Sequence, residues 1–210
     1  MSHPRYRMLY SDIGGVLGTN GWDSRLRQSL CAEFGLDFEE IERRHHLMFD
    51  SFERGFLSFE EYLARVIFFI PRAFALEQVR DFTFAASVPW PKNIEFFRRV
   101  RTANSLGFAL ISNEGQGITS HRVNKFALKQ LCDFMVISHF TGLRKPDREI
   151  WRLALDLAQA QASESIYVDD REIFVDAASD LGFTGVHHTT LESTRERFAA
   201  LGLLESRDEA

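Results

Sequence analysis

Cysteine is scarce in this 210-residue chain, which has only Cys31 and Cys132. Two such residues give no disulfide framework and no metal-ligand spacing, which fits a reducing compartment. Basic blocks are missing too. With 25 Lys+Arg against 30 Asp+Glu the net charge is −5, which argues against binding nucleic acid or another polyanion by bulk charge. The longest apolar run, Val66 to Ile70, is far short of the ~20 residues a membrane span needs. The start, Met1-Ser2-His3-Pro4-Arg5, lacks the apolar stretch of a signal peptide. These absences predict a soluble, cytoplasmic protein with no nucleic-acid or membrane partner. Tyrosine and tryptophan are few, 4 and 3, whereas phenylalanine occurs 20 times.

Five short apolar or β-rich runs read as strands: Tyr6–Tyr10, Phe108–Ile111, Phe134–Ile137, Ile166–Val168 and Phe183–Val186. Helical patterns cover Pro91–Asn104, Gly117–Leu131, Asp147–Gln159 and Glu172–Leu181. Pro91 and Pro146 stand where a first-turn proline is tolerated, and Gly182 reads as a stop. Strands alternating with helices predict an α/β fold: a Rossmann-like parallel sheet with helices on both faces. Residues 18–87 break the rhythm, being helical without a credible strand. There Ser58 and Glu61 form a capping box ahead of Tyr62, Leu63, Val66, Ile67 and Ile70, with Pro71 as the stop. Phe38, Ile41, His45, Met48 and Phe52 share one face of another helix, where His45 reads as a satisfied core residue. The division is a core of 1–17 and 88–210 with a small inserted helical module at 18–87. The polar tail Glu205–Ala210 is expected to fray.

In a parallel α/β sheet, sites form beyond the carboxyl ends of the strands. Asp12 ends the first strand, Ser112-Asn113 the second, and Asp169-Asp170 the fourth, while Lys145-Pro146-Asp147 follows the third. Taken singly, these read equally as turn or helix-capping chemistry. Together they bring three carboxylates, a hydroxyl and an ammonium to one edge. Crowded carboxylates resist ionisation unless a cation neutralises them, and a hard divalent ion, Mg²⁺ by preference, suits oxygen ligands. Metal, lysine and hydroxyl are the equipment for holding a phosphoryl group, and a carboxylate facing it can act as nucleophile.

Four segments in order resemble the motifs of the haloacid dehalogenase-like hydrolase superfamily. They are Leu9–Leu17, Leu110–Asn113, Gly142–Asp147 and Ile166–Asp170. The insert resembles that family's small α-helical cap. Phe52-Glu53-Arg54-Gly55 with Ser58-Phe59-Glu60-Glu61 is similar to the branch holding sugar-phosphate phosphatases and the phosphatase domain fused to epoxide hydrolases. The resemblance implies that Asp12 is the nucleophile and a metal ligand, with the Gly14 carbonyl also on the metal. It implies that Ser112 and the neighbouring Asn113 bind phosphoryl oxygens and that Lys145 neutralises charge between nucleophile and phosphate. Asp170 would hold Mg²⁺, and Asp169 would ligate or orient it. The implied function is Mg²⁺-dependent hydrolysis of a small phosphorylated metabolite, sugar phosphates included, and a homodimer is allowed.

Two positions depart from the pattern. Many relatives carry a second aspartate, the general acid and base, where this chain has Gly14, and general acid–base catalysis is commonly worth about 10²–10⁴ in rate. A cap residue or water can supply the proton, the substrate can have an acidic leaving group, or turnover can be slow. The last case leaves a phosphate-binding or regulatory protein. Phe174 stands where Asn or Asp usually supports the metal site. Haloacid dehalogenation, which uses no metal, is disfavoured because Asp169 and Asp170 would repel an anionic haloacid. Finally, 11 of the 20 phenylalanines fall within residues 18–87, so some are expected to face the catalytic domain, a partner subunit or the substrate, against tight packing within the module as the alternative.

Overall fold

Alternation along the strands sets the architecture. Leu9, Phe108, Leu110, Ile137, Ile166 and Val168 face one apolar layer, while Tyr10, Ala109, Ile111, Val136 and Tyr167 face the other. Successive strand side chains point to opposite faces, so strands this apolar are buried on both. The computed structural model describes residues 6–204; the readings made on residues 1–5 and on the tail 205–210 lie outside it.

Strands β1 (Met8–Ser11), β2 (Gly107–Ser112), β3 (Phe134–Ile137), β4 (Ser165–Asp169) and β5 (Thr184–His187) pair in the order β3-β2-β1-β4-β5. Every pairing is parallel. Helices α5 (Pro91–Ala103), α6 (Ile118–Lys125) and α10 (Leu191–Ala200) contribute to the first layer. Helices α8 (Arg148–Ala158) and α9 (Glu172–Ser179) contribute to the second. A one-turn helix, α7 (Ser138–Thr141), follows β3 directly. The chain winds outward from β1 in both directions, which makes the carboxyl end of β1 the topological switch point where ligands bind in such sheets.

Between β1 and α5 lie α1 (Ser24–Phe34), α2 (Phe38–Glu53), α3 (Phe59–Val66) and α4 (Leu76–Ala85). They surround their own cluster, which includes Leu30, Ile41, Phe52, Phe59, Tyr62, Leu63 and Val79. The Ser58–Glu61 capping box is present, and His45 is buried with Nδ1 2.7 Å from the Tyr62 hydroxyl. Burial pushes its imidazole down to about 3, with Arg27 adding to the effect, so it stays neutral. Most phenylalanines of this region pack inside it: Phe34 meets Phe74 and Phe82, and Phe52 and Phe59 stack with Tyr62. Phe52 alone among them reaches the main cleft.

Several boundaries differ from the sequence reading. The first strand is Met8–Ser11 rather than Tyr6–Tyr10. Residues 117–131 are two pieces: α6 ends at Lys125, Ala127 adopts a positive φ of 54°, and a 3₁₀ turn covers Leu128–Gln130. Residues two apart in an α-helix point about 200° away from each other, so the break is what lets both Phe126 and Leu128 enter the core. Helix α3 stops at Val66, ahead of Pro71, because Ile67 turns inward and its carbonyl takes the Arg72 Nε at 2.8 Å. Ile70 is left exposed. Among the described residues no helix is long and apolar enough to cross a membrane.

Candidate active site

Asp12 follows β1 directly, at the switch point, and is almost fully buried. The fully buried Lys145, from the loop ahead of α8, reaches across to it. Its Nζ lies 3.0 Å from Asp12 Oδ1 and 2.6 Å from Asp169 Oδ2. Asp169, the last residue of β4, also accepts from the Tyr167 hydroxyl and, through Oδ1, from the Arg171 N–H at 2.9 Å. Asn113 locks the Lys145 loop in place: its amide donates to the Lys145 carbonyl at 2.9 Å and its oxygen accepts the Lys145 N–H at 2.8 Å. Its side chain is therefore engaged by backbone, although the residue still borders the cleft. Ser112, Gly14 and Lys145 line that cleft with Asp12.

Burial shifts these groups. It raises the Asp12 carboxyl, with Asp169 adding to the effect, while the Lys145 charge and the Ser112 hydroxyl act in the opposite direction. Burial also opposes the charge on Lys145, yet Asp12 and Asp169 hold its pKa above the ordinary lysine value. Asp170 is pushed up to about 6 by burial and by the charges of Asp12 and Asp169.

The carboxylates fit a hard cation. Asp12, Asp169 and Asp170 each offer an oxygen, all within 4.8 Å of one another. Asp170 Oδ1 is buried with no hydrogen-bond partner, and Asp12 Oδ1 has none beyond its ion pair with Lys145. Buried carboxylate oxygens left this way are costly unless something positive meets them. Gly15 makes room for the cluster: it sits at φ 67°, and a Cβ there would lie 2.1 Å from Asp170 Oδ2.

A stability prediction follows for the metal-free protein. The folded pKa of Asp170 exceeds the ordinary 3.8, so the folded state holds this proton more tightly than the unfolded chain does. Stability is therefore favoured below the ordinary value and declines as pH rises towards 6. Asp170→Asn is expected to stabilise the chelator-treated protein at pH 7.5 by about 1 kcal/mol after solvent screening, or about 2–4 °C in Tm. The gain should fade by about pH 4 and be accompanied by loss of any Mg²⁺-induced rise. Thermal melts at both pH values check this; a variant that melts lower at pH 7.5 contradicts it.

The spatial surroundings add residues that the motifs did not reveal. Asn20 fills the space beside Gly14, its Oδ1 only 2.4 Å from where a Cβ at that position would stand. Its amide approaches Asp170 Oδ2 at 3.4 Å, so Asn20 supports an acidic residue that Phe174 does not. The Phe174 ring instead lies 4.9 Å from the Lys145 ammonium. Phe52 and Glu53 from α2 roof the cleft, whose volume of about 70 Å³ has room for a few waters. Gly115 permits this close roof, since a Cβ there would stand 2.0 Å from the Phe52 ring. Glu53 is bound by Arg144 at 2.6 Å, and Arg54 by Asp147 at 2.7 Å, tying the end of α2 to the lysine loop. Glu114 completes the lining. Only its place directly after Ser112-Asn113 could have marked it.

A sequence profile of haloacid dehalogenase-like hydrolases matches residues 74–186, more than half of the chain. The chain belongs to the haloacid dehalogenase-like hydrolase family. A relative of this hydrolase is flavin mononucleotide hydrolase 1 of Arabidopsis thaliana, a chloroplast protein by its name. It is 23% identical over 177 residues, covering 84% of this chain and 71% of the relative. A family enzyme from Bacteroides thetaiotaomicron, solved with magnesium and inorganic phosphate, superposes with a TM-score of 0.72 at 20% identity. The match spans 87% of this chain and 93% of that one. The L-2-haloacid dehalogenase of Xanthobacter autotrophicus, with chloropropionic acid covalently bound, superposes at 0.61 and 14% identity over 95% and 85% of the two chains. At these identities the structural likenesses establish the shared fold of the hydrolase, not its substrate.

Proposed function

We propose that this hydrolase is a Mg²⁺-dependent phosphatase of small phosphorylated metabolites, sugar phosphates included, acting through an aspartyl-phosphate on Asp12. The observation that carries this reading is Lys145 held between Asp12 and Asp169, with Asp170 and Ser112 at the same sheet edge. Asp12, Asp169 and Asp170, with the Gly14 carbonyl, would hold the ion, which when bound supplies charge neutralisation for phosphoryl oxygens. The Asp12 carboxylate attacks phosphorus. Lys145 and Ser112, with the Asn113 backbone, hold the transferring oxygens against the charge of the nucleophile. Residues 18–87, with helices α1–α4, act as a cap over the cleft, and Phe52 excludes water from the reacting group. The free cysteines Cys31 and Cys132 fit a cytoplasmic setting.

Asn20 in the space beside Gly14 favours a second reading, a phosphate-ligand binding or regulatory protein with little turnover. A panel separates the two: p-nitrophenyl phosphate, sugar phosphates, flavin mononucleotide and a short 2-haloacid, each with Mg²⁺ or chelator. Phosphate release that depends on Mg²⁺ is expected. Thermal stabilisation by Mg²⁺ with beryllium fluoride but no turnover would favour the binding protein, and chelator-insensitive halide release would favour dehalogenation.

A further inference from the structure

Gly14 offers no proton donor, yet a buried carboxyl borders the same cleft from another element. Glu114 follows Ser112-Asn113 and is 6% exposed. Its Oε1 forms an ion pair with Arg122 Nε at 3.0 Å, and Arg122 is itself anchored by Nη1 to the Thr19 carbonyl at 2.7 Å. Its Oε2 is shielded from solvent and has no hydrogen-bond partner. The backbone is pinned, because the Glu114 N–H donates to the Ser138 hydroxyl at 2.9 Å. The Ser138 hydroxyl in turn donates to the Glu114 carbonyl at 3.2 Å. A fixed carboxyl on a residue that lines the cleft, with one oxygen in an ion pair and the other without a partner, calls for a donor on that second oxygen: its own proton or one from a ligand.

We propose that Glu114 is the general acid and base of this hydrolase, replacing the side chain absent at Gly14. The proposal rests on the phosphatase reading above. In the first half-reaction an Asp12 oxygen bonds phosphorus while the P–O bond to the leaving group breaks. The electron pair goes to the leaving oxygen, which takes the Glu114 proton. In the second, a water oxygen bonds phosphorus, one water proton passes to Glu114, and the P–O bond to Asp12 breaks with its pair returning to the carboxylate. Inorganic phosphate leaves and Glu114 is protonated again.

The groups facing this carboxyl set its poise. Burial raises it to about 7, with Asp12 and Glu53 adding to the effect and the charges of Arg122 and Lys145 opposing it. For His139, whose Nδ1 lies 3.1 Å from the Glu114 carbonyl, burial lowers the imidazole pKa against the opposing effect of that hydrogen bond. A carboxyl poised near neutrality can both give and retake a proton.

The test compares an alkyl phosphate, whose alkoxide needs a proton to leave, with p-nitrophenyl phosphate, whose phenolate does not. For the wild type, kcat/KM on the alkyl ester should fall above about pH 7 while the aryl ester shows no such limb. Glu114→Gln should lose about 10²–10⁴ in turnover of the alkyl ester. On p-nitrophenyl phosphate its loss should fall on the second half-reaction, so that one equivalent of p-nitrophenolate is released in a burst before slow turnover. Identical pH profiles for the two wild-type substrates overturn the assignment, and that measurement needs no variant to fold. Equal losses on both esters without a burst, in a Glu114→Gln protein with an unchanged melting curve, also overturn it. A wild type inactive on every phosphate monoester overturns the phosphatase reading itself, and this assignment with it.

Discussion

Asp12→Asn is expected to abolish phosphate release, lowering kcat by about 10⁴–10⁶-fold while leaving the fold intact. The amide keeps the size of the side chain but cannot accept a phosphoryl group, and losses of this order accompany removal of a covalent nucleophile. Stability should not suffer. Burial already disfavours the Asp12 charge, and Lys145 keeps Asp169 as partner at 2.6 Å. Thermal melts beside the rate measurement separate the chemical loss from unfolding. Substantial Mg²⁺-dependent activity in this variant would remove Asp12 from the role of nucleophile.

Lys145→Met should do the opposite to stability. It removes the one ammonium set between Asp12 and Asp169 and leaves both carboxylates buried without their counter-charge. Breaking a buried pair from one side costs about 3–5 kcal/mol, which in a domain of this size is a Tm lower by about 6–20 °C. Lys145 is held charged above the ordinary lysine value, so its contribution is present throughout the neutral range and is lost only as pH rises through the raised pKa. The variant's deficit should shrink on acidification, because protonating Asp12 removes the repulsion that the lysine masked. Added Mg²⁺ should restore part of the Tm but not the activity. Melting curves at pH 5 and pH 8, with and without Mg²⁺, check both statements. A variant as stable as wild type at pH 8 contradicts the electrostatic account of the cluster.

How much of this was readable in the chain depends on distance along it. The sheet was legible because five short apolar runs separated by helical patterns leave few arrangements, and strands buried on both faces write themselves as continuous apolar sequence. Asp12, Ser112, Asp169 and Asp170 were legible because each sits at a strand's carboxyl end, where topology brings separate segments together, and Lys145 because its loop follows β3 on the way to α8. Asn20 and Glu114 were not. Each matters through a neighbour far away in sequence: Asn20 through the gap at Gly14 and through Asp170, Glu114 through Arg122 and the cleft. No local periodicity encodes such meetings. The break at Ala127 was invisible for a related reason, since the demand for both Phe126 and Leu128 in the core is tertiary. Phenylalanine abundance pointed to the right region: packing within residues 18–87 absorbs most of these rings, while Phe84 stacks on His121, Phe49 meets Arg144 and Phe52 borders the cleft.

The central claim is that phosphate passes through Asp12. The most direct measurement is rapid acid quenching of the wild-type enzyme during turnover of p-nitrophenyl phosphate with Mg²⁺, followed by borohydride reduction and peptide mapping. An acyl phosphate at that position is reduced to the alcohol, so homoserine is expected at residue 12 and nowhere else. Steady phosphate release with an unmodified Asp12 peptide, or homoserine at another aspartate, would contradict the account.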